Sequence, residues 1–161
     1  MANFQMNVFG MGAIKGMVDL LLNPSIMSAQ IDVTSTLGAD GGVGLVAGQA
    51  VTIVNSPGGI PKVIEATADT QDIFGFIVYN PKDPKYMRQD RCEIAFGKGS
   101  VVYMEANAAI ARNAEVAVLI AGVKVITATA TDRIVGRALD AATAQGQMIR
   151  VLIDLPGAIK A

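Results

Sequence analysis

Short runs of β-branched and aromatic residues, separated by turn residues, constrain the fold of this chain more than any other feature. Seven runs stand out: 50–54, 73–79, 92–96, 101–103, 116–120, 123–126 and 149–153. Turns rich in Gly, Pro and Asn lie between them, as at 58–61 and 80–84, and no separator has the periodicity of a crossover helix. The pattern predicts an all-β fold, either a compact antiparallel β-barrel or a jelly-roll-like sandwich.

Helix is expected to be limited to one or two short turns. Residues 105–111 and 138–144 are rich in alanine, but neither shows a long amphipathic stripe. Residues 1–37 differ from the rest because they carry five of the eight methionines, whose flexible side chains adapt to irregular apolar surfaces. We therefore expect an extended N-terminal arm at 1–37, which either contacts a partner or folds back on the core, and a single β-domain at 38–161.

Three predicted strand starts resemble one another. They read Gly-Gln-Ala-Val at 48–51, Gly-Ser-Val-Val at 99–102 and Ala-Glu-Val at 114–116. Their spacing is irregular, which favours recurring turn chemistry within one domain over an internal duplication.

The composition argues against catalysis. The sequence has no histidine, which is the commonest general base and metal ligand, and its one cysteine, Cys92, can form neither an intrachain disulfide nor a metal site by itself. The glycine-rich stretch 38–48 lacks the Lys-Ser/Thr of a phosphate loop and is interpreted as a flexible loop or β-corner. We expect no enzymatic activity, no cofactor and no metal.

Charge and hydropathy indicate a protein partner. Thirteen Lys and Arg residues balance fourteen Asp and Glu residues without a basic cluster, so neither nucleic acid nor an anionic membrane is expected as a partner. Residues 1–22 lack the pattern of a secretory signal, and the apolar run 116–126 is shorter than the roughly 18 residues of a membrane span. Yet 52% of the residues are hydrophobic and the mean hydropathy is +0.43. Excess apolar surface predicts a permanent interface with a partner or with other copies of the chain.

Two segments are candidates for that interface. Segment 80–91 is the most polar stretch and predicts a long loop, which is either a merely solvated hairpin or a docking loop. The candidate contact residues of this loop and of the arm are Lys82, Lys85, Tyr86, Arg88, Arg91, Phe4, Met6, Phe9 and Met11.

Several short sequence segments between residues 73 and 156 resemble those of tailed-phage capsid decoration, or cement, proteins. They are Ile-Phe-Gly-Phe-Ile at 73–77, Gly-Ser-Val-Val-Tyr at 99–103, the stretch 109–116, Ile-Val-Gly-Arg-Ala-Leu in 134–142 and the closing strand 147–153. The resemblance covers about half of the chain.

The resemblance implies a non-enzymatic virion protein, made in the host cytoplasm, on the outside of an icosahedral phage capsid. There it would bind the major capsid protein and stabilise the shell by bridging neighbouring capsomers. Homotrimers at local three-fold positions fit such a lattice, with dimers as the rival. The alternatives are another virion subunit, in a tail tube or fibre attachment, and a small β-barrel ligand-binding module or enzyme.

Overall fold

Twelve β-strands are present in the computed structural model, which describes residues 15–18, 24–54, 59–67, 72–119 and 124–161. They are β1 (Ile26–Ile31), β2 (Leu45–Val46), β3 (Ala50–Val54), β4 (Lys62–Glu65), β5 (Gly75–Ile77), β6 (Lys85–Tyr86), β7 (Arg91–Phe96), β8 (Lys98–Ala106), β9 (Glu115–Val118), β10 (Lys124–Thr127), β11 (Gly136–Ala138) and β12 (Met148–Asp154). The prediction of an all-β barrel fold is confirmed, and each of the seven predicted runs contains a strand.

The strands close into two five-stranded barrels. The first has the ring order β1-β4-β3-β5-β7, the second has the ring order β8-β10-β9-β11-β12, and β2 pairs with β6 beside them. Gly97 is the single residue between the last strand of the first barrel and the first strand of the second. The residues 38–161, predicted as a single β-domain, thus contribute to two barrels, and β1, which lies within the residues predicted as an arm, is a strand of the first.

Each barrel contains one parallel strand pair, β1 with β4 and β8 with β10. The other strand pairs of both barrels are antiparallel, as predicted. Parallel neighbours need a crossover connection, and here the crossover contains strands of the same barrel instead of a helix.

The two barrels are copies of one topology. When the five strands of each barrel are numbered in chain order, their order around the ring is 1-3-2-4-5 in both barrels. The parallel pair joins strands 1 and 3 in both cases. The registers also agree: Lys62 pairs with Gln30 in the first barrel, and Lys124 pairs with Glu105 at the same place in the second. The fold is thus an internal repeat with β1, β3, β4, β5 and β7 equivalent to β8, β9, β10, β11 and β12.

Sequence similarity accompanies the structural repeat where the strands align. The third strand of each barrel begins a nearly identical hexapeptide, Lys-Val-Ile-Glu-Ala-Thr at 62–67 and Lys-Val-Ile-Thr-Ala-Thr at 124–129. The expectation against an internal duplication is therefore wrong. Loops of unequal length separate the matching strands, so a search for even spacing fails. Of the three similar strand starts, those at 48–51 and 114–116 are equivalent, and that at 99–102 is not.

Each barrel has its own apolar interior, built from alternate residues of its strands. Cys92 and Ile94 of β7 point into the first barrel, and Ile149, Val151 and Ile153 of β12 point into the second. This alternation is the period-2 pattern of half-buried strands.

An apolar row on the outside of the first barrel joins the two barrels. Ala50, Phe76 and Ala95 are register neighbours on β3, β5 and β7, and all three are buried in the same core cluster as the interior of the second barrel. The segment 15–18 adds a second link. The backbone N–H of Gly16 donates to the Tyr103 carbonyl at 2.8 Å, and the Gly16 carbonyl accepts from Tyr79 N–H at 2.9 Å.

Both predicted helical turns are wrong. Glu105 and Ala106 end β8, Ala138 ends β11, and Ile110 and Ala142 form a bridge between the two segments. Backbone pairing with neighbouring strands overrides the alanine-rich composition here. The described ranges contain no helix, and hence none long and apolar enough to cross a membrane.

Candidate interaction surface

The first barrel differs from the second mainly in one loop. Equivalent hydrogen bonds mark where the loop begins, since Asp32 N–H donates to the Val63 carbonyl and Asn107 N–H donates to the Val125 carbonyl, both at 2.9 Å. The loop ends before Leu45 in the first barrel and before the equivalent Ile110 in the second. The β1–β2 loop therefore has thirteen residues, 32–44, where the second barrel has three, 107–109.

The connection from β5 to β7 is also longer than its equivalent. In the first barrel, the backbone N–H groups of Val78 and Gln89 donate hydrogen bonds at the start and near the end of this connection. Leu139 and Gly146 donate the equivalent bonds in the second barrel. Ten residues separate the first-barrel pair and six separate the second-barrel pair. The extra residues include β6, which pairs with β2 through Leu45 and Tyr86. The two elaborations of the first barrel thus contact one another.

Glu65, at the end of β4, holds the β1–β2 loop. Its side chain is buried, at 4% exposure, and its carboxylate accepts hydrogen bonds from Ser35 Oγ at 2.6 Å, Thr36 N–H at 2.7 Å and Leu37 N–H at 3.0 Å. Thr36 Oγ1 donates to the same carboxylate. Burial raises the pKa of Glu65, but the hydrogen bonds from Ser35 and Thr36 outweigh it and leave the pKa below its ordinary value. Glu65 is therefore a buried carboxylate that fixes three consecutive loop residues.

Arg88, in the β5–β7 connection, fixes the same loop from its other side. The Arg88 backbone N–H donates to the Gly38 carbonyl and its Nε donates to the Ser35 carbonyl, both at 2.8 Å. Ser35 Oγ also accepts from Gly38 N–H at 3.0 Å. Ser35 lies fully buried between Glu65 and Arg88, so the stretch 35–38 of the loop is held from two sides.

The outer part of the β1–β2 loop is exposed. Val33 and Val43 are 51% and 65% exposed, although they are large apolar residues, and residues 40–42 between them are exposed as well. Gly41 and Gly44 have φ values of +77° and +76°, a left-handed conformation that glycine adopts without strain. We call the exposed residues 33, 34 and 40–43 the loop surface.

The candidate contacts predicted on segment 80–91 divide into two groups. Lys82, Lys85, Arg88 and Arg91 are exposed, beside the anchored loop. Tyr86 is not, because it is 3% exposed and packs in the interior cluster of the first barrel, where burial raises the pKa of its hydroxyl. Its predicted role as an exposed contact is wrong. Phe4, Met6, Phe9 and Met11 lie outside the described residues.

Two cavities border the first barrel. A polar cavity of about 520 Å³ borders the start of the β5–β7 connection and is lined by Tyr79, Asn80, Lys82 and Arg91 among others. An apolar cavity of about 420 Å³ lies beside the stacked rings of Phe74 and Phe96, whose centroids are 5.6 Å apart.

The polar cavity borders the one cysteine of the sequence. Cys92 belongs to its lining, and burial raises the pKa of the Cys92 thiol to about 12, which keeps it protonated at neutral pH. Among the described residues, no cluster of three or more Cys, Asp or Glu side chains could hold a metal ion.

Sequence reasoning did not single out Glu65, Val33 or Val43. One signal was available for the first of these. The two hexapeptides at 62–67 and 124–129 differ at a single position, where Glu65 stands opposite Thr127. That position is the anchor of the loop that the second barrel lacks.

Comparison with known proteins places the chain in no established family. No protein-family description matches the sequence, and the search of curated proteins found no relative. One solved structure that is similar to this chain is the N base of the head fiber gp8.5 in bacteriophage phi29, with 11% sequence identity and a TM-score of 0.49. The match covers 81% of this chain and 93% of that one. Similarity at this level assigns neither a family nor a function.

Proposed function

We propose that this chain is a non-enzymatic structural protein of a phage virion. It binds the outer surface of an icosahedral capsid, through the major capsid protein, and stabilises the shell by bridging neighbouring capsomers. The sequence segments between residues 73 and 156 that resemble decoration proteins support this proposal. The structural observation that carries it is the β1–β2 loop, because a buried carboxylate and an arginine hold its base while two valines on it are exposed.

A loop fixed before binding suits such a role. Ordering a flexible loop at an interface costs free energy that a pre-organised loop does not lose on association. A protein that binds only the assembled shell stabilises that state by mass action, and many copies on one lattice add avidity. Weak contacts per copy are therefore enough to reinforce a capsid.

Self-association completes the proposal. A homotrimer at the local three-fold positions of the lattice, with a dimer as the rival, would present several loop surfaces to the shell at once. Sedimentation equilibrium of the purified chain distinguishes these states from a monomer.

Co-sedimentation tests the function directly. The purified full chain is mixed with expanded, undecorated shells from the same source, and the copies bound per capsid subunit are counted. Saturable binding at a fixed ratio to the capsid subunit is expected. A deletion of residues 1–14 tests the arm, and it spares the segment 15–18 that bonds to both barrels. Absence of binding to every shell state would reject decoration, and a low copy number in purified particles would point to a tail subunit.

A further inference from the structure

The repeat supplies an internal reference for what a barrel of this kind requires. The second barrel closes with only residues 107–109 between β8 and the paired residue Ile110, and it keeps the ring order and ladders of the first. The thirteen residues 32–44 are therefore not needed to close a barrel. A repeated scaffold in which one copy carries a ten-residue longer loop indicates that this loop has a task of its own.

The anchoring of the loop points the same way. Burying a carboxylate is unfavourable unless hydrogen bonds compensate it, and Glu65 receives such bonds from the loop residues 35–37. At the equivalent position the second barrel has Thr127, within an otherwise identical hexapeptide. The strand itself does not require the acid, so Glu65 serves the position of the loop.

The chemistry of the loop surface indicates its partner. Residues 33–43 carry one charge, Asp40, and the basic residues that border them are the exposed Lys85 and Arg88. Such a mixed and sparse charge does not form the uniform basic surface that binds a nucleic acid or an anionic membrane. Two exposed valines offer apolar contact, and the exposed backbone of Gly41 offers hydrogen bonds. This combination suits the surface of a folded protein.

We infer that the loop surface of the first barrel, with Val33 and Val43 as its apolar contacts, is the part of this chain that docks on the outer face of the capsid shell. Glu65 is a positioning residue, since it acts through the loop and does not touch the shell. This inference rests on the proposed function. It adds which barrel and which residues make the contact.

Paired substitutions on the full chain test the contact residues. In the co-sedimentation assay, V33S/V43S is expected to bind shells at least tenfold more weakly, with an unchanged circular dichroism spectrum and melting temperature. I53S is the matched control, because Ile53 is 47% exposed and lies outside the loop. It is expected to bind like the unaltered chain.

The outcomes separate the inference from the function. If the unaltered chain binds and V33S/V43S binds equally well, the docking surface is wrong while the proposed function stands. An equal loss of binding in I53S would also overturn the assignment to the loop. If the unaltered chain binds no shell, both the function and the inference fail.

A second set of variants tests the positioning role of Glu65. E65T introduces the residue of the second barrel, and replacing 32–44 with Asn-Ala-Ala introduces its short loop. Both are expected to lose binding at least tenfold, and E65T should speed amide hydrogen exchange at residues 35–37 without changing β8–β12. E65Q, whose amide oxygen still accepts hydrogen bonds, should restore part of the binding. Full binding by the short-loop variant would overturn the inference.

Discussion

Glu65 and Thr127 occupy the same position of the two barrels, since Glu65 is the register partner of Val51 and Thr127 is the register partner of the equivalent Val116. One barrel uses the position for a buried acid and the other for a small polar residue. The surrounding strand is the same in both. A single substitution in a repeated hexapeptide therefore coincides with the presence of an anchored loop.

The first prediction concerns pH. The folded pKa of Glu65 is below its ordinary value, so its contribution to stability is complete above the unfolded pKa of about 4.3 and is lost as the pH falls through the folded value. We expect E65Q to lower the free energy of unfolding at pH 7 by about 1–3 kcal/mol, because a charged acceptor of three or more hydrogen bonds is removed.

Urea unfolding of both proteins between pH 7 and pH 3 checks this expectation. The difference between the unaltered chain and E65Q should shrink as the pH falls below about 4, since protonated Glu65 resembles Gln. Other carboxylates titrate in both proteins and cancel in the difference. If the difference in the free energy of unfolding stayed constant over this pH range, the ionised Glu65 carboxylate would not be what stabilises the loop.

The predicted strands follow from local chemistry, whereas the missed ones do not, with the exception of β4, which was missed although its Lys-Val-Ile is the same as in the predicted β10. Runs such as Ala50–Val54 are dense in β-branched residues and are recognised without context. In contrast, β1 contains Ser28, Ala29 and Gln30, and β2, β6 and β11 have only two or three residues. Pairing with distant strands stabilises these elements, and the β-propensity of single residues does not include the free energy of that pairing.

The loop anchor could not be predicted for a related reason. Glu65 and its partners Ser35 and Thr36 are about thirty residues apart in the sequence. Nothing local distinguishes this acid from a solvated one. Recognising the repeat would have helped, because the Glu65/Thr127 difference is visible once the two hexapeptides are aligned.

The second prediction concerns Cys92. The side chain is 4% exposed and burial raises its pKa to about 12, so very little thiolate forms in the folded protein at pH 8. Reaction with a thiol reagent should be at least a hundredfold slower for the native chain than for the chain in denaturant. Absorbance of the released chromophore measures both rates. Native labelling at the denatured rate would show that the interior of the first barrel is open.

The third prediction uses two equivalent glycines. A methyl group on Gly75 would collide with the Ala95 carbonyl, and one on Gly136 would collide with the equivalent Leu152 carbonyl. G75A and G136A should each reduce the free energy of unfolding by about 1–3 kcal/mol, as overpacked sites do. Thermal unfolding gives the values.

Gly146 provides the control for this pair. It has a φ of +87° and open space around its α-carbon, and the equivalent residue of the first barrel is Gln89 at φ +70°. G146N should therefore lower the free energy of unfolding less than G75A or G136A does, because Asn tolerates the left-handed region. A larger loss for G146N would contradict the close strand approach at Gly75 and Gly136.

The last prediction concerns the row that joins the barrels. Phe76 lies between the barrels and is 1% exposed. The equivalent residue of the second barrel, Arg137, lies on the surface, where its Nη2 is 3.3 Å from Glu115 Oε1. F76R should destabilise the chain by more than about 3 kcal/mol, because it removes a buried ring and leaves a buried charge. R137F should change stability little but promote self-association through a new apolar patch, measured by light scattering, while R137A should do neither. Unchanged stability of F76R would show that the two barrels do not pack through this row.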